Sequence, residues 1–156
     1  LVAAKGFSGG VYPMSAVVTR PECLDFFGES PYRTISSFAW SNLGARVSLA
    51  ALEETRRLLP RLQLLGEEIE RNVVALQKRY ASVLRGVRRA GMMFALDFAD
   101  ADTGMRFLGE MFLRGVLVVA SSQRLDIIKL YPPLVLESEH VATFSERMES
   151  ALQAMS

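Results

Sequence analysis

The sequence predicts a compact protein that combines strands and helices in an α/β or α+β arrangement. Three observations support this fold class. The chain has 156 residues, enough for one domain with a real core or for a small domain plus part of another. Hydrophobic residues make up 50% of it and the net charge is +1, a balance typical of globular proteins. After Pro60, short apolar runs alternate with segments of helical periodicity.

Composition also excludes several classes of protein. A net charge of +1 lacks the basic excess that nucleic-acid-binding domains carry. No stretch approaches the roughly 20 apolar residues that span a bilayer, so we expect no membrane segment. The one cysteine, Cys23, excludes an internal disulfide and a cysteine-only metal site, and we expect no bound metal. It also favours a reducing, cytoplasmic compartment.

The first part of the chain predicts short elements that are separated by turns. Residues 1–4 and 14–19 are apolar runs that predict two strands. Turn-forming residues lie between the two runs, at Gly6, Gly9, Gly10 and Pro13. Pro21 predicts a short helical turn that ends at Gly28. The serine-rich stretch 29–41 has no clear period and predicts an ordered loop.

The rest of the chain predicts two helices and then an alternation of strands and helices. From about Asn42 the pattern is helical, and Pro60 predicts a break before a second helix. That second helix carries an apolar stripe at Leu62, Leu65, Ile69, Val73, Leu76 and Tyr80. Strands are predicted at 92–98, at 116–120, which we expect to be buried, and at 127–131. Helices are predicted at 103–114, closed by Gly115, and at 137–154, where Val141, Phe144, Met148 and Leu152 face inward.

Lys5 is the first candidate for chemistry, because it follows an apolar run and precedes a glycine-rich turn. A lysine held among apolar neighbours loses its proton more readily, and the neutral amine is a nucleophile that can form a Schiff base. The glycines after it would let the backbone approach a ligand closely. A phosphate-binding P-loop has its lysine after the glycines, so the reversed order disfavours that motif. Taken alone, the pattern also suits a surface lysine in a loop.

The continuation of this segment resembles a known family. Residues 4–17, Ala-Lys-Gly-Phe-Ser-Gly-Gly-Val-Tyr-Pro-Met-Ser-Ala-Val, resemble the lysine segment of class III pyridoxal-phosphate aminotransferases, the ornithine and acetylornithine aminotransferase group. Two later segments agree in the family's order. Residues 36–44, Ser-Ser-Phe-Ala-Trp-Ser-Asn-Leu-Gly, resemble its Ser-Thr-aromatic-Gly-Gly-Asn-Pro-Leu-Ala loop. Residues 128–134, Ile-Lys-Leu-Tyr-Pro-Pro-Leu, resemble its late Arg-x-x-Pro-Pro-Leu strand end.

The resemblance implies the C-terminal part of the fold-type I pyridoxal-phosphate transferase fold. Residues 1–45 would end the large cofactor-binding domain, 46–60 would form a connecting helix, and 61–156 would form the small C-terminal α+β domain. Lys5 would hold pyridoxal phosphate as an internal aldimine and would move a proton between substrate and cofactor. The enzyme would transfer an amino group between an amino donor and a keto acid or aldehyde, and it would act as a homodimer.

Three further positions follow from the resemblance. Ser37 falls where the family has a threonine whose hydroxyl reaches the cofactor phosphate from the neighbouring subunit; a serine that bonds its own loop is the alternative. Lys129 falls at the family's late arginine. The lysine ammonium is a point charge, whereas the planar arginine guanidinium can pair with a carboxylate through two hydrogen bonds. Lys129 therefore either contacts the substrate differently or pairs with a structural acid. Trp40 occupies a position where the family usually has glycine, and its bulk would alter the entrance of the pocket or the dimer interface.

The family's other cofactor contacts precede the lysine, and only four residues precede Lys5 here. These contacts are the phosphate-cradling turn, the aromatic residue that stacks on the pyridine ring, and the aspartate that pairs with the ring nitrogen. We therefore expect a piece of a longer or two-chain enzyme, inactive alone, whose first strand lacks a sheet neighbour. The alternatives are a non-catalytic assembly or interaction domain that retains the fold, and an aminomutase or decarboxylase on the same scaffold.

Overall fold

The computed structural model describes residues 1–28, 36–37 and 39–156. The chain divides into two compact units, Leu1–Leu58 and Leu59–Ser156. The predicted loop at 29–41 falls in part on residues 29–35 and 38, which lie outside the described residues. The division into residues 1–45, 46–60 and 61–156 stays a prediction. Within the described ranges, no helix combines the length and the apolar character that crossing a membrane requires.

The first unit begins with a pair of short strands. β1 (Val2–Ala3) pairs with β2 (Ala16–Val17) in antiparallel register. The Val18 N–H extends this pairing by donating to the Leu1 carbonyl at 2.9 Å. The expectation that the first strand lacks a sheet neighbour is therefore wrong. The reason is that the glycine turn after Lys5 folds the chain back, so the second apolar run becomes its partner.

The helical segments up to Arg79 follow the sequence pattern except at Pro60. A 3-10 helix (Pro21–Leu24) leads into α1 (Asp25–Gly28), as the proline and the glycine predict. α2 (Asn42–Arg79) is one helix that contains Pro60, so the predicted break is wrong. Proline removes a backbone N–H and crowds the preceding turn, but the buried face of α2 continues beyond it at Leu62. Burial of that face keeps the chain helical, because tertiary packing outweighs local propensity.

The second unit contains the end of α2, a four-stranded sheet and two more helices. Its elements are β3 (Leu84–Ala90), β4 (Met93–Phe98), α3 (Ala101–Leu113), β5 (Val119–Ala120), β6 (Ile127–Leu130) and α4 (Ser138–Gln153). The sheet order is β3-β4-β6-β5, and every neighbouring pair is antiparallel. An antiparallel sheet with segregated helices makes the second unit an α+β arrangement, one of the two arrangements that the sequence predicts.

The core of the second unit lies between one face of the sheet and the three helices. The strands contribute Leu96 and Ile128, and the helices contribute Val73, Phe107 and Met148, all of them fully buried. Burying a side chain of this kind contributes about 1.5–3 kcal/mol. The apolar stripes predicted for the second helix and for the last helix are therefore confirmed as core-facing surfaces.

Two strands of the sheet differ from the sequence pattern. The pattern does not predict β3, because three arginines and one glycine interrupt its alternation. The strand predicted at 116–120 is shorter and more exposed than expected, since only Val119–Ala120 pairs with β6 and Leu117 is 83% exposed. The end of α3 holds Val116 instead, because its N–H donates to the Met111 carbonyl at 2.9 Å.

Helix ends in the second unit follow the usual capping rules. Asp100 caps α3 by accepting from the Thr103 N–H at 2.8 Å, and this bond lowers the pKa of the Asp100 carboxyl. Gly115, with φ of +71°, follows the end of α3, as predicted. Glu137 and His140 form a capping box at the start of α4, so the exposed His140 has a structural task.

Candidate functional site

Lys5 begins a 3-10 helix (Lys5–Ser8) that follows β1, so the lysine lies beyond the strand rather than ending it. Its side chain is exposed, and its backbone has a φ of +57°, in the left-handed region. This conformation costs a residue with a side chain about 1–2 kcal/mol. Backbone strain of this kind is concentrated at functional sites, where the surrounding structure holds it in place.

The glycine turn after Lys5 is held by backbone conformation and by a buried serine. Gly9 and Gly10 have φ of +65° and +74°, which glycine adopts without steric cost. Ser8 is only 1% exposed, and its hydroxyl donates to the Tyr12 carbonyl, which closes the turn. A small polar residue between glycines is a weak signal, so the sequence pattern does not predict the role of Ser8.

Two neighbouring grooves lie along this segment of the first unit. Lys5 lines the first groove, together with Gly6, Gly10, Tyr12, Pro13, Met14 and Ser15. The second groove shares residues 13–15 with the first and continues along residues 16–17, 36, 39–42 and 45. The lysine segment therefore lies beside part of the serine loop that the family resemblance identified.

Tyr12 and Ser41 connect the two segments. The Tyr12 hydroxyl lies 3.1 Å from the Ser41 hydroxyl, and Ser41 also accepts from the Gly44 N–H at 3.1 Å at the start of α2. Gly44 packs so closely that an added Cβ would lie 2.6 Å from the Met14 sulfur. These contacts hold the start of α2 against the lysine segment. The sequence pattern gives no role to Tyr12 or to Ser41, although a serine just before a helix is a recognisable cap.

Ser37 is exposed in a short turn, in which the Ser36 carbonyl accepts from the Ala39 N–H at 3.0 Å. The described lining of the second groove includes Ser36 but does not include Ser37. Among the described residues, Ser37 therefore does not line the groove that Lys5 lines.

Trp40 departs from the family pattern in its side chain but keeps a backbone that suits glycine. Its φ is +62°, in the left-handed region, and its side chain is 97% exposed. The resemblance places a glycine here, and glycine adopts this conformation without steric cost. The backbone of Trp40 therefore has a conformation that suits glycine, and its indole adds an exposed apolar surface.

Lys129 lies in β6, where it is paired with Ala95 of β4 on one side and with Val119 of β5 on the other. Its neighbours Ile128 and Leu130 point into the core, so Lys129 lies on the opposite face of the sheet. Its ammonium group lies 5.8 Å from the centroid of the Tyr131 ring. This is a cation–π contact at a half-buried position.

The acidic side chains near this strand are bound by arginines. Arg88 donates to Asp97 through two hydrogen bonds of 3.1 and 2.7 Å. Arg124 donates twice to Asp126, and these bonds lower the pKa of the Asp126 carboxyl. Over the residues that the structure describes, Lys129 forms no ion pair, so the expected structural acid partner is absent there.

Known aminotransferases resemble this chain over nearly its whole length. Acetylornithine aminotransferase from Elizabethkingia anophelis superposes with a TM-score of 0.82 at 25% identity, over 98% of this chain and 40% of that one. Ornithine aminotransferase from Toxoplasma gondii, crystallised in the presence of oxidized glutathione and with partial occupancy of PLP at its active site, superposes with a TM-score of 0.82 at 23% identity, over 98% and 36%. An S-selective transaminase from Arthrobacter sp. superposes with a TM-score of 0.82 at 16% identity, over 99% and 38%.

The chain spans 36–40% of the length of these three solved structures, so they share its fold over a part of their chains. The sequence family described as aminotransferase class-III matches residues 1–152, which is almost all of the 156 residues. The chain therefore belongs to the class-III aminotransferase family.

Proposed function

We propose that the chain is the lysine-bearing part of a pyridoxal-phosphate-dependent aminotransferase. Lys5 is the observation that carries the proposal. It is exposed, it has a strained backbone, and it lines a groove next to a glycine turn, in the segment that resembles the family's cofactor lysine. The complete enzyme would transfer an amino group between an amino donor and a keto acid or an aldehyde. The expected location is the cytoplasm.

The residues around Lys5 fit this cofactor. Holding an aldehyde covalently requires a primary amine, and Lys5 has no carboxylate partner in the described part of the chain. Gly6 and Gly10 carry no side chains, so the groove next to the lysine stays open. When bound, pyridoxal phosphate supplies an electron sink for charge that develops at the substrate α-carbon. The role of the Lys5 amine is then to remove and return the proton at that carbon.

Ser37 would donate its hydroxyl to the cofactor phosphate of a neighbouring subunit in a homodimer. Ser37 is exposed, and the described lining of the Lys5 groove does not include it, which supports a contact made in trans rather than within one chain. Trp40 is close to Ser37 in sequence and is fully exposed, so the same loop would contribute an apolar side chain to the dimer interface.

Lys129 would contact the carboxylate of the substrate. Support comes from its lack of an ion pair among the described residues and from the arginines that already bind the neighbouring acids Asp97 and Asp126. A single ammonium group attracts a carboxylate without the two parallel hydrogen bonds of an arginine. We therefore expect weaker orientation of the substrate than an arginine would give.

Reduction of the cofactor bond tests the role of Lys5. The longest natural polypeptide that contains residues 1–156 is incubated with pyridoxal phosphate, reduced with borohydride and digested for mass spectrometry. The chain has three lysines, Lys5, Lys78 and Lys129, and Lys78 is exposed near the end of α2, where it reports non-specific labelling. We expect a pyridoxyl group on Lys5 and little on Lys78, and Lys5→Arg should abolish that adduct.

The contrary result favours a different class of function. An unmodified Lys5, or equal labelling of Lys5 and Lys78, would mean that the lysine does not hold the cofactor. A non-catalytic assembly domain would then be the better proposal, and the fully exposed Trp40 is the observation that favours it. An aminomutase or a decarboxylase would label Lys5 in the same way, and product analysis with amino acid substrates distinguishes these enzymes from an aminotransferase.

A further inference from the structure

A cavity of about 390 Å³ lies in the second unit, between the end of β6, α4 and the segment that precedes β5. Its apolar wall includes Ile69, Val116, Val118, Leu130 and Phe144. Small-molecule sites span volumes of about 300–1,000 Å³ and are mostly apolar, with a few polar groups that orient the ligand. The cavity is therefore large enough for a small ligand, at the low end of that range.

Three polar side chains of α4 line the same cavity: His140, Thr143 and Arg147. Their separations of three and four residues place them on one face of the helix. The described lining contains neither an aspartate nor a glutamate. The cavity therefore combines an apolar wall with one fixed positive charge, which is the pattern that suits an amphiphilic anion.

Arg147 retains donors for such an anion. Within the described residues its guanidinium makes one long hydrogen bond, 3.3 Å from Nη1 to the Gly115 carbonyl, and it forms no ion pair there. His140 accepts from the Glu137 N–H through Nδ1, so in the neutral ring Nε2 carries the proton. Glu137 is itself bound by Arg61 at 2.9 Å, which offsets its negative charge.

We propose that this cavity binds a small amphiphilic monocarboxylate, with its carboxylate at Arg147 and its apolar part against Val118, Leu130 and Phe144. Arginine pairs with carboxylates through two parallel hydrogen bonds, which fixes the orientation of the ligand. A wholly polar anion would gain nothing from the apolar wall. The proposal depends on the cavity alone and is independent of the role proposed for Lys5.

Saturation-transfer NMR on the longest natural polypeptide that contains residues 1–156 tests the proposal with 3-phenylpropionate and with 3-phenyl-1-propanol, its neutral analogue. Because Arg147 lies at an exposed rim, we expect the acid to bind about threefold to tenfold more tightly than the alcohol. Amide resonances of residues 115–118 and 143–147 should shift on titration with the acid. The Arg147→Gln variant should lose the preference for the acid but keep the affinity for the alcohol.

Two further variants make the test specific. Arg71→Gln makes the same change of charge at an exposed position of α2 that does not line the cavity, and it should leave the preference unchanged. Val118→Trp should fill the cavity and weaken both ligands, while dispersed amide spectra confirm that each variant is folded. The proposal is overturned if the acid does not bind the native chain at millimolar concentration, or if acid and alcohol bind equally. It is also overturned if Arg71→Gln has the same effect as Arg147→Gln.

Discussion

The contact between the start of α2 and the lysine segment depends on the absence of a side chain at Gly44. A Cβ at this position would lie 2.6 Å from the Met14 sulfur and 2.9 Å from Cε1 of Tyr12. Both distances are well inside the 3.5–4.0 Å separation of atoms in favourable contact. The family resemblance places an alanine here, so Gly44 and Met14 form a matched pair in this chain. Through Tyr12, the pair also supports the groove that Lys5 lines.

Replacing Gly44 with alanine should lower the free energy of unfolding by about 1–3 kcal/mol, because Met14 or the Tyr12 ring must move to make room. Urea unfolding followed by circular dichroism measures the change. Gly109→Ala in α3 is the matched control, because an added Cβ there meets nothing within 4 Å. It should raise stability by up to about 1 kcal/mol, the usual advantage of alanine in a helix.

The double variant Gly44→Ala with Met14→Ala should recover part of the stability that Gly44→Ala loses. Met14 also contributes apolar packing, so the proper comparison is with Met14→Ala alone, in a double-mutant cycle. A cycle with no coupling, or equal effects of the two glycine substitutions, would show that the close approach at Gly44 does not constrain the chain.

Among the elements, α2 differs most from its sequence pattern. It continues through an interior proline that lacks a backbone N–H and crowds the preceding turn. Pro60 itself is exposed, so its ring contributes little packing, while the buried residues of the same helix are spaced for one continuous face. The helix therefore forms despite Pro60 and gains no evident stability from it.

Replacing Pro60 with alanine should raise the free energy of unfolding by about 1–3 kcal/mol, because it restores a hydrogen bond and removes the steric conflict. Thermal and urea unfolding of the variant measure the gain. Pro60→Gly restores the same N–H with a poor helix former, so its gain should be smaller by about 1 kcal/mol. A loss of stability in Pro60→Ala would instead mean that the packing of α2 needs the distortion that proline introduces.

At the scale of the whole molecule, buried apolar residues are concentrated in the second unit. The described core cluster begins at Leu65 and ends at Leu152, so all of it lies in that unit. Large apolar residues of the first unit, such as Val17, Val18 and Leu49, are exposed. The proposed remainder of the enzyme and its neighbouring subunit would cover this surface, because isolated soluble domains rarely expose so much of it.

Hydrogen exchange followed by mass spectrometry should therefore separate the two units. Amides of β4, β6 and α4 should be strongly protected, because they open only when the buried core opens. The hydrogen-bonded amides of β1 and β2 should exchange much faster, since few buried side chains support these strands. Comparable protection of the two sheets would contradict this account of where the stability lies.

Several features could be predicted from the sequence because they depend on local periodicity or on a specific motif. Helix spacing identified the buried faces of α2 and α4, and Gly115 correctly marked the end of α3. The order of residues around Lys5 identified the family over nearly the whole chain, because many consecutive positions agree. The roles of Lys5, Ser37 and Lys129 follow from that resemblance and remain proposals.

Other features were decided by the tertiary structure, because they depend on contacts between segments that are distant in sequence. The continuity of α2 at Pro60 and the antiparallel order of the sheet result from burial that no local pattern contains, and the partner of β1 is set by the turn that folds the chain back. The same holds for the Tyr12–Ser41 contact and for the absence of an ion pair at Lys129 among the described residues. Sequence by itself therefore determined the family and the candidate lysine, while long-range packing determined the surroundings in which that lysine lies.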